Sequence, residues 1–409
     1  MEQYETLSPP QRAAILRSMT SGRGALGRRT LLRAAGLGTV AAGLTACGIP
    51  AAGRKGDNVP STDHSAQEKV VNFSNWTEYI DVTDDGKHRP TLEAFTKRTG
   101  IKVKYTEDIN DNVEFFGKIK PQLAAGQDTG RDLMVLTDWL AARMIRLGWV
   151  QELNPANLPH AFANLEQRFR TPDWDPGRAY SYPWTGIATC VAYNKKATKG
   201  RAVTSISQLL DDPALKGKVA MLSEMRDTIG MTLLDMGKKP ESVTDDTFDA
   251  AVARIQKAVD SQQIRKFTGN EYTDGLSKGD IAACVAWAGD LVQLRIDDPD
   301  IEYVFPDAGY LSSTDNLLIP DKARHKTNAE RLIDYYYEPP VAAQLAAYIN
   351  YVCPVAGVRP ELAKIDKSLA DNPLILPDAS MDAKGHSFRS LSQDEETRYE
   401  EKFSKLIGA

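Results

Sequence analysis

Signatures of catalysis and of metal binding are scarce in this sequence. Its five histidines, His64, His88, His160, His325 and His386, fall in no spacing that suits a metal, so neither a metal nor a cofactor is expected. There is no G-x-S-x-G, no P-loop and no C-x-x-C, which removes the signatures of the serine hydrolases, the P-loop nucleotidases and the dithiol oxidoreductases. Cysteine is sparse too. Beyond Cys47 there are only Cys190, Cys284 and Cys353. One pair could bond outside the cell, but spacing does not say which. Cys190 in I-A-T-C-V-A-Y and Cys284 in I-A-A-C-V-A-W sit in apolar, strand-like runs, where an unpaired buried thiol is the commoner outcome. No catalytic thiol is expected. Basic charge is also lacking. The formal net charge is −5, and residues 1–46 carry Arg12, Arg17, Arg23, Arg28, Arg29 and Arg33 against Glu2 and Glu5, which leaves −9 on the rest. An acidic body argues against nucleic acid as a partner and suits a cationic ligand.

What is present begins with the N-terminus. In G-R-R-T-L-L-R-A-A-G-L-G-T-V-A-A-G-L-T-A-C, the pair Arg28–Arg29 precedes an apolar run from Ala34 to Ala46. That run is shorter than the roughly 20 residues that span a bilayer. It reads as the apolar region of an export signal over residues 1–46, with an arginine pair of the twin-arginine type and Gly27 where Ser or Thr is usual. Leu44-Thr45-Ala46-Cys47 resembles the lipobox of bacterial lipoproteins, which makes Cys47 the lipidated first residue; the alternative is a buried Ala/Leu/Gly helix. Residues 48–68 are rich in Gly, Pro, Ser and charge without periodicity, as a tether is.

From Lys69 onward, strand-like and helix-like stretches alternate. K-V-V-N-F-S-N-W and I-K-V-K-Y-T-E-D read as strands. Between them R-P-T-L-E-A-F-T-K-R-T-G reads as a helix with Pro90 near its start and Gly100 as its stop. The β-α-β repetition predicts a largely parallel sheet. Pro183 is expected to break the chain ahead of a strand through Cys190. The economical architecture is α/β, with two lobes and a cleft between them. Its expected parts are a first lobe over 69–185 and 313–358, a second over 186–312, and a C-terminal segment 359–409 packed mainly on the second lobe.

Acids and aromatics gather where strands end. Trp76, Glu78 and Tyr79 follow the first strand, Thr137, Asp138 and Trp139 a later one. Glu224 and Asp227 follow G-K-V-A-M-L, Trp287 and Asp290 follow I-A-A-C-V-A, and Asp315 precedes N-L-L-I-P. Strand ends are where open α/β sheets place ligand contacts. An aromatic face attracts an ammonium group by about 0.5–2 kcal/mol, and a carboxylate holds it by charge-assisted hydrogen bonds. The competing reading makes the tryptophans core residues and the acids helix caps.

N-F-S-N-W-T-E-Y-I-D is similar to the opening segment of the substrate-binding proteins of bacterial spermidine/putrescine ABC transporters. F-T-K-R-T-G-I-K-V-K-Y, R-D-L-M-V-L-T-D-W, K-G-K-V-A-M-L-S-E-M-R-D-T-I-G-M-T-L, G-D-I-A-A-C-V-A-W-A-G-D and the stretch from N-L-L-I-P to N-Y-V-C-P-V extend the likeness, in order, to Gly357. The resemblance implies a two-lobed periplasmic-binding-protein-like fold whose lobes are joined by crossing strands. It implies a polyamine ligand, ABC permease subunits as partners, a monomer, and a place on the outer face of the bacterial cytoplasmic membrane through the lipid anchor at Cys47. Carried over by position, Trp76, Thr77, Glu78 and Tyr79 match first-lobe ligand contacts, and Thr137 and Trp139 a hydroxyl and an aromatic facing the cleft. Glu224 and Asp227 match an acid pair of the second lobe, Trp287 a stacking tryptophan, Asp315 an anchoring acid and Tyr351 a cleft tyrosine. Ser313 stands where the family usually has an aromatic, so one wall of the aromatic box is either lost or supplied from elsewhere, with Tyr310 a candidate. Two further readings stay open. One is a binding protein for another small amine or an amino-acid derivative. The other is a secreted hydrolase using strand-end carboxylates.

Overall fold

The computed structural model describes residues 61–83 and 85–408; the export signal, Cys47 and the tether up to residue 60 lie outside the described residues. Ten strands form one sheet: β1 Val70–Trp76, β2 Lys102–Ile109, β3 Leu133–Thr137, β4 Ser181–Asn194, β5 Val219–Leu222, β6 Ile264–Thr268, β7 Ala283–Trp287, β8 Ile301–Val304, β9 Tyr310–Leu318 and β10 Gly385–His386. Their order is β2-β1-β3-β9-β4-β7-β5-β6, with β10 added to β9 and β8 to β4. β3, L-M-V-L-T, is buried from Leu133 to Leu136 without alternation, as a strand covered on both faces must be. The helix Pro90–Thr99 begins on its proline and stops at Gly100, whose φ of 72° is the left-handed conformation that a helix end takes up cheaply only with glycine.

The expected largely parallel sheet holds only at the two flanks. β1 runs parallel to β2 and β3, and β5 parallel to β6 and β7. The centre is antiparallel: β3 pairs with β9, β9 with β4, and β4 with β7. The reason is topological. The chain leaves the first lobe along β4 and returns along β9, so the two crossing strands run in opposite directions side by side. Pro183 lies inside β4 rather than ahead of it. The β4–β9 register slips between Pro183 and Thr185, a local irregularity that accommodates a residue with no N–H to donate.

Three apolar clusters fill the lobes. Two belong to the first lobe, one including Phe73, Leu133, Tyr182, Leu317, Leu332 and Ile349, the other including Phe115, Ile119, Leu136 and Leu140. The second lobe's cluster includes Cys190, Leu222, Ile229, Phe248, Val285 and Leu311. The chain after residue 358 contributes apolar residues to both clusters. Leu362, Ala370 and Ile375 join the first, whereas Leu374, Leu391, Tyr399, Phe403 and Leu406 join the second. Cys190, Cys284 and Cys353 are free and buried, and burial pushes the Cys353 thiol up to about 12. Among the described residues no helix is long and apolar enough to cross a membrane.

Candidate functional site

The crossing strands bring the strand ends together. Asp315 on β9 lies opposite Thr137 on β3 and Thr185 on β4, and Thr189 on β4 lies opposite Trp287 on β7. Asp315 is buried. Its carboxylate accepts from the Tyr79 hydroxyl and from the Thr137 hydroxyl, each at 2.8 Å. Tyr79 Oη is also 3.1 Å from Thr185 Oγ1. Burial pushes the Asp315 carboxyl up to about 6; the two hydroxyls pull it down and the charge of Asp227 raises it.

Asp227 stands in the first turn of the helix Met225–Asp235. It accepts from Thr189 Oγ1 at 2.6 Å and from the Trp287 indole at 3.1 Å, and burial raises its pKa. Asp290 accepts from Tyr272 at 2.6 Å, Tyr351 at 2.6 Å and Asn270 at 2.8 Å, and burial raises its pKa too. Asp138 accepts the backbone N–H groups of Trp139 at 2.7 Å and Thr314 at 3.3 Å, while burial pushes it up to about 7. Glu224 caps the helix Met225–Asp235 through the Arg226 N–H. Burial pushes its carboxyl up to about 7, against the pull of the Arg226 guanidinium 3.7 Å away. Glu224 is thus the helix cap that the competing sequence reading expected, and the charge of Asp227 also raises its carboxyl.

The four aspartates share one property. Among the described residues Asp138, Asp227, Asp290 and Asp315 form no ion pair, and their recorded hydrogen bonds come from hydroxyl, indole, side-chain amide and backbone groups, all neutral. Carboxylates withdrawn from water, as Asp227 and Asp315 are, without a paired counter-ion are costly, and only the more distant charge of Arg226 eases Asp138 and Asp227. A cation placed among them recovers that energy. Among the described residues no group of acids, histidines or cysteines is arranged to hold a metal ion.

Not every expected residue joins the cluster. Trp76 donates its indole N–H to the Val135 carbonyl at 3.1 Å and packs between the two first-lobe cores. Thr77 is exposed and bonds Asn110 at 3.3 Å. Glu78 is exposed with a φ of 60°, a turn that carries the chain from β1 to the buried Tyr79. Trp139 is buried, and its ring already carries the guanidiniums of Arg226 at 4.4 Å and Arg143 at 4.9 Å. Tyr351 packs edge-on to Tyr79 with centroids 5.3 Å apart. It lies so close over Gly289 that a Cβ there would sit 2.3 Å from the ring. Tyr310 does not replace the aromatic missing at Ser313, because it packs in the second-lobe core at 4.8 Å from Phe305. Sequence reasoning overlooked Thr185, Thr189, Asn270 and Tyr272. Thr185 and Thr189 carried a signal, two hydroxyls on the same face of one strand.

Two lobes, a ribbon of crossing strands and an acidic site where strand ends meet define a ligand-binding protein of the two-lobed type. Residues 91–377 match the family model described as bacterial extracellular solute-binding protein, and the chain belongs to that family. Membership makes it an extracytoplasmic transport protein that binds a solute, not an enzyme, and sets aside the hydrolase reading. It is 28% identical over 371 residues to the spermidine/putrescine-binding periplasmic protein of Salmonella typhimurium, covering 90% of this chain and 97% of that one. It is 26% identical to the putrescine-binding periplasmic protein PotF of Escherichia coli, covering 78% and 86%. In fold it is similar to the spermidine/putrescine ABC transporter substrate-binding protein PotD of Streptococcus pneumoniae (TM-score 0.68, 21% identity, 82% and 98% covered). The Tp0655 lipoprotein of Treponema pallidum is similar as well (TM-score 0.69, 19% identity, 83% and 100% covered).

Proposed function

We propose that this protein captures a polyamine-like cation between its lobes and delivers it to an ABC permease. The observation that carries the reading is a set of four aspartates, Asp227 and Asp315 buried and Asp138 and Asp290 half-buried, whose hydrogen bonds come from neutral donors. Protonated amines linked by methylenes satisfy such a set by charge-assisted hydrogen bonds, and Trp287 and Tyr351 supply apolar surface for the methylenes. The names of the Salmonella and Escherichia relatives point the same way. In this reading Asp315, with Tyr79 and Thr137, anchors one nitrogen, and Asp227 and Asp290 receive another. Asp138 and Glu224 flank them, and Trp76, Thr77, Glu78 and Trp139 form the outer edge. Contacts from both lobes stabilise a closed state, so the ligand shifts the protein toward closure. The protein acts as a monomer held to the outer face of the cytoplasmic membrane by a lipid on Cys47; Cys47→Ser releases it to the soluble fraction.

Calorimetry and thermal shift with putrescine, spermidine and spermine test the ligand. Binding of at least one is expected, and absence of heat and of stabilisation with all three overturns the polyamine reading. A second reading, a smaller amine or an amino-acid derivative, is favoured by Ser313, by the remote packing of Tyr310, and by the Trp139 face already taken by Arg226.

A further inference from the structure

An ion-pair network beside the aspartates joins three elements. Glu396, on the helix Gln393–Ile407, is buried, yet its carboxylate accepts from Arg143 Nε at 3.1 Å, Arg146 Nη2 at 2.8 Å and Arg226 Nη2 at 2.8 Å. Arg143 also donates to Glu400 at 2.6 Å. Arg143 and Arg146 belong to the helix Asp138–Arg146 of the first lobe, and Arg226 to the second. The helix carrying Glu396 rides on the second lobe. Tyr399 stacks on Phe248 at 3.9 Å, Phe403 meets Phe267 at 6.3 Å, and Arg398 reaches Asp245 at 3.1 Å.

The charges divide by lobe. On the second lobe the carboxylates of Glu224, Glu396 and Glu400 surround the single guanidinium of Arg226. On the first, among the described residues, Arg143 and Arg146 find their ion pairs only in Glu396 and Glu400. Two positive groups on one lobe thus meet an excess of negative charge on the other. If the lobes part, Glu396 keeps Arg226, and the two first-lobe arginines pass into water. No charge is stranded in either arrangement, which suits a contact made and broken repeatedly.

We propose that Glu396 is a positioning residue for ligand retention. It latches the closed lobes through Arg143 and Arg146, and it holds the Arg226 guanidinium between Trp139 and Glu224 at the edge of the acidic site. The inference rests on lobe closure as read above. The latch forms only when the lobes close, so it acts on the release rate and leaves the capture rate nearly unchanged.

Glu396→Gln and Arg146→Gln in the full chain test it, by stopped-flow tryptophan fluorescence with putrescine and spermidine and by energy transfer between dyes placed on the two lobes of the ligand-free protein. Arg146 is the more exposed partner and lies off the C-terminal helix, so its variant remains informative if Glu396→Gln fails to fold. Both variants are expected to release ligand about tenfold faster, with association within about twofold. Release from the unaltered protein speeds up between about 50 and about 500 mM salt, and this dependence is weaker in the variants, which keep only the ligand's own ionic contacts. The ligand-free lobes of the variants stand farther apart. An unchanged release rate and an unchanged lobe distance in both variants overturn the latch. If the unaltered protein binds neither amine, the polyamine reading fails instead, and the lobe distance alone decides on the latch.

Discussion

A buried carboxylate that only hydroxyls and amides attend destabilises the protein around it until a cation arrives. Burial pushes Asp315 up to about 6 and Asp138 and Glu224 up to about 7, above the ordinary carboxylate range near 4. The folded state therefore holds protons that the unfolded chain has released, and the ligand-free protein becomes less stable as pH rises from about 4 through about 7. An organic cation requires the charged carboxylates, so its affinity falls as pH drops through about 7 to about 5. Calorimetry near pH 6.5 in buffers of different ionisation enthalpy should record proton release on binding; no proton release would contradict these raised values. Asp315→Asn should weaken amine binding by about tenfold or more while leaving the ligand-free melting temperature equal or higher. Retained affinity would remove Asp315 as the anchor. At this scale the sequence was readable where chemistry is concentrated: Asp227, Asp315, Tyr79 and Thr137 stand out at strand ends, and Tyr351 came from the family resemblance alone. Thr185 and Thr189 were not, because threonine inside a buried strand is also an ordinary strand former. The arginines over the Trp139 ring could not be foreseen, since Arg143 and Arg226 come from different elements and only the fold brings them together.

Among the elements, the helix Pro90–Thr99 was legible to its ends because proline and glycine mark both. β6 was invisible. It is an edge strand whose Arg265 and Lys266 face water, and charge on an exposed edge erases the apolar pattern while protecting against association. The antiparallel centre of the sheet was equally hidden, because pairing between β3, β9, β4 and β7 is decided by where the chain crosses, not by any one strand's residues. The helix Ala288–Asp297 offers an element-scale test. Alanine is a better helix former than glycine by about 1 kcal/mol, yet a Cβ at Gly289 would enter the Tyr351 ring. Gly289→Ala should keep or raise helix stability and weaken ligand binding, because Tyr351 can no longer reach Asp290. Unaltered affinity, measured by calorimetry, would show that the Tyr351–Asp290 contact plays no part in capture.

For the whole molecule, a ligand that bridges both lobes stabilises the folded state by mass action. At about 100 times its dissociation constant it should add about 2.7 kcal/mol and raise the melting temperature by a few degrees. Small-angle scattering should report a smaller radius of gyration, and a rise in melting temperature without contraction would locate binding on one lobe only. The division of the cores reaches further. The first lobe's main core draws on Val71–Trp184 and again on Leu317–Ile375, and the second's on Ala188–Leu311 and again on Leu374–Leu406. Neither is a continuous stretch of chain. During synthesis the first lobe must wait, unfinished, for strands and helices made after the whole middle of the second lobe, and the second waits for the last helix of all. Such late, distant closures slow folding. Removing the C-terminal helix should therefore weaken the second lobe first, because Tyr399, Phe403 and Leu406 belong to its core.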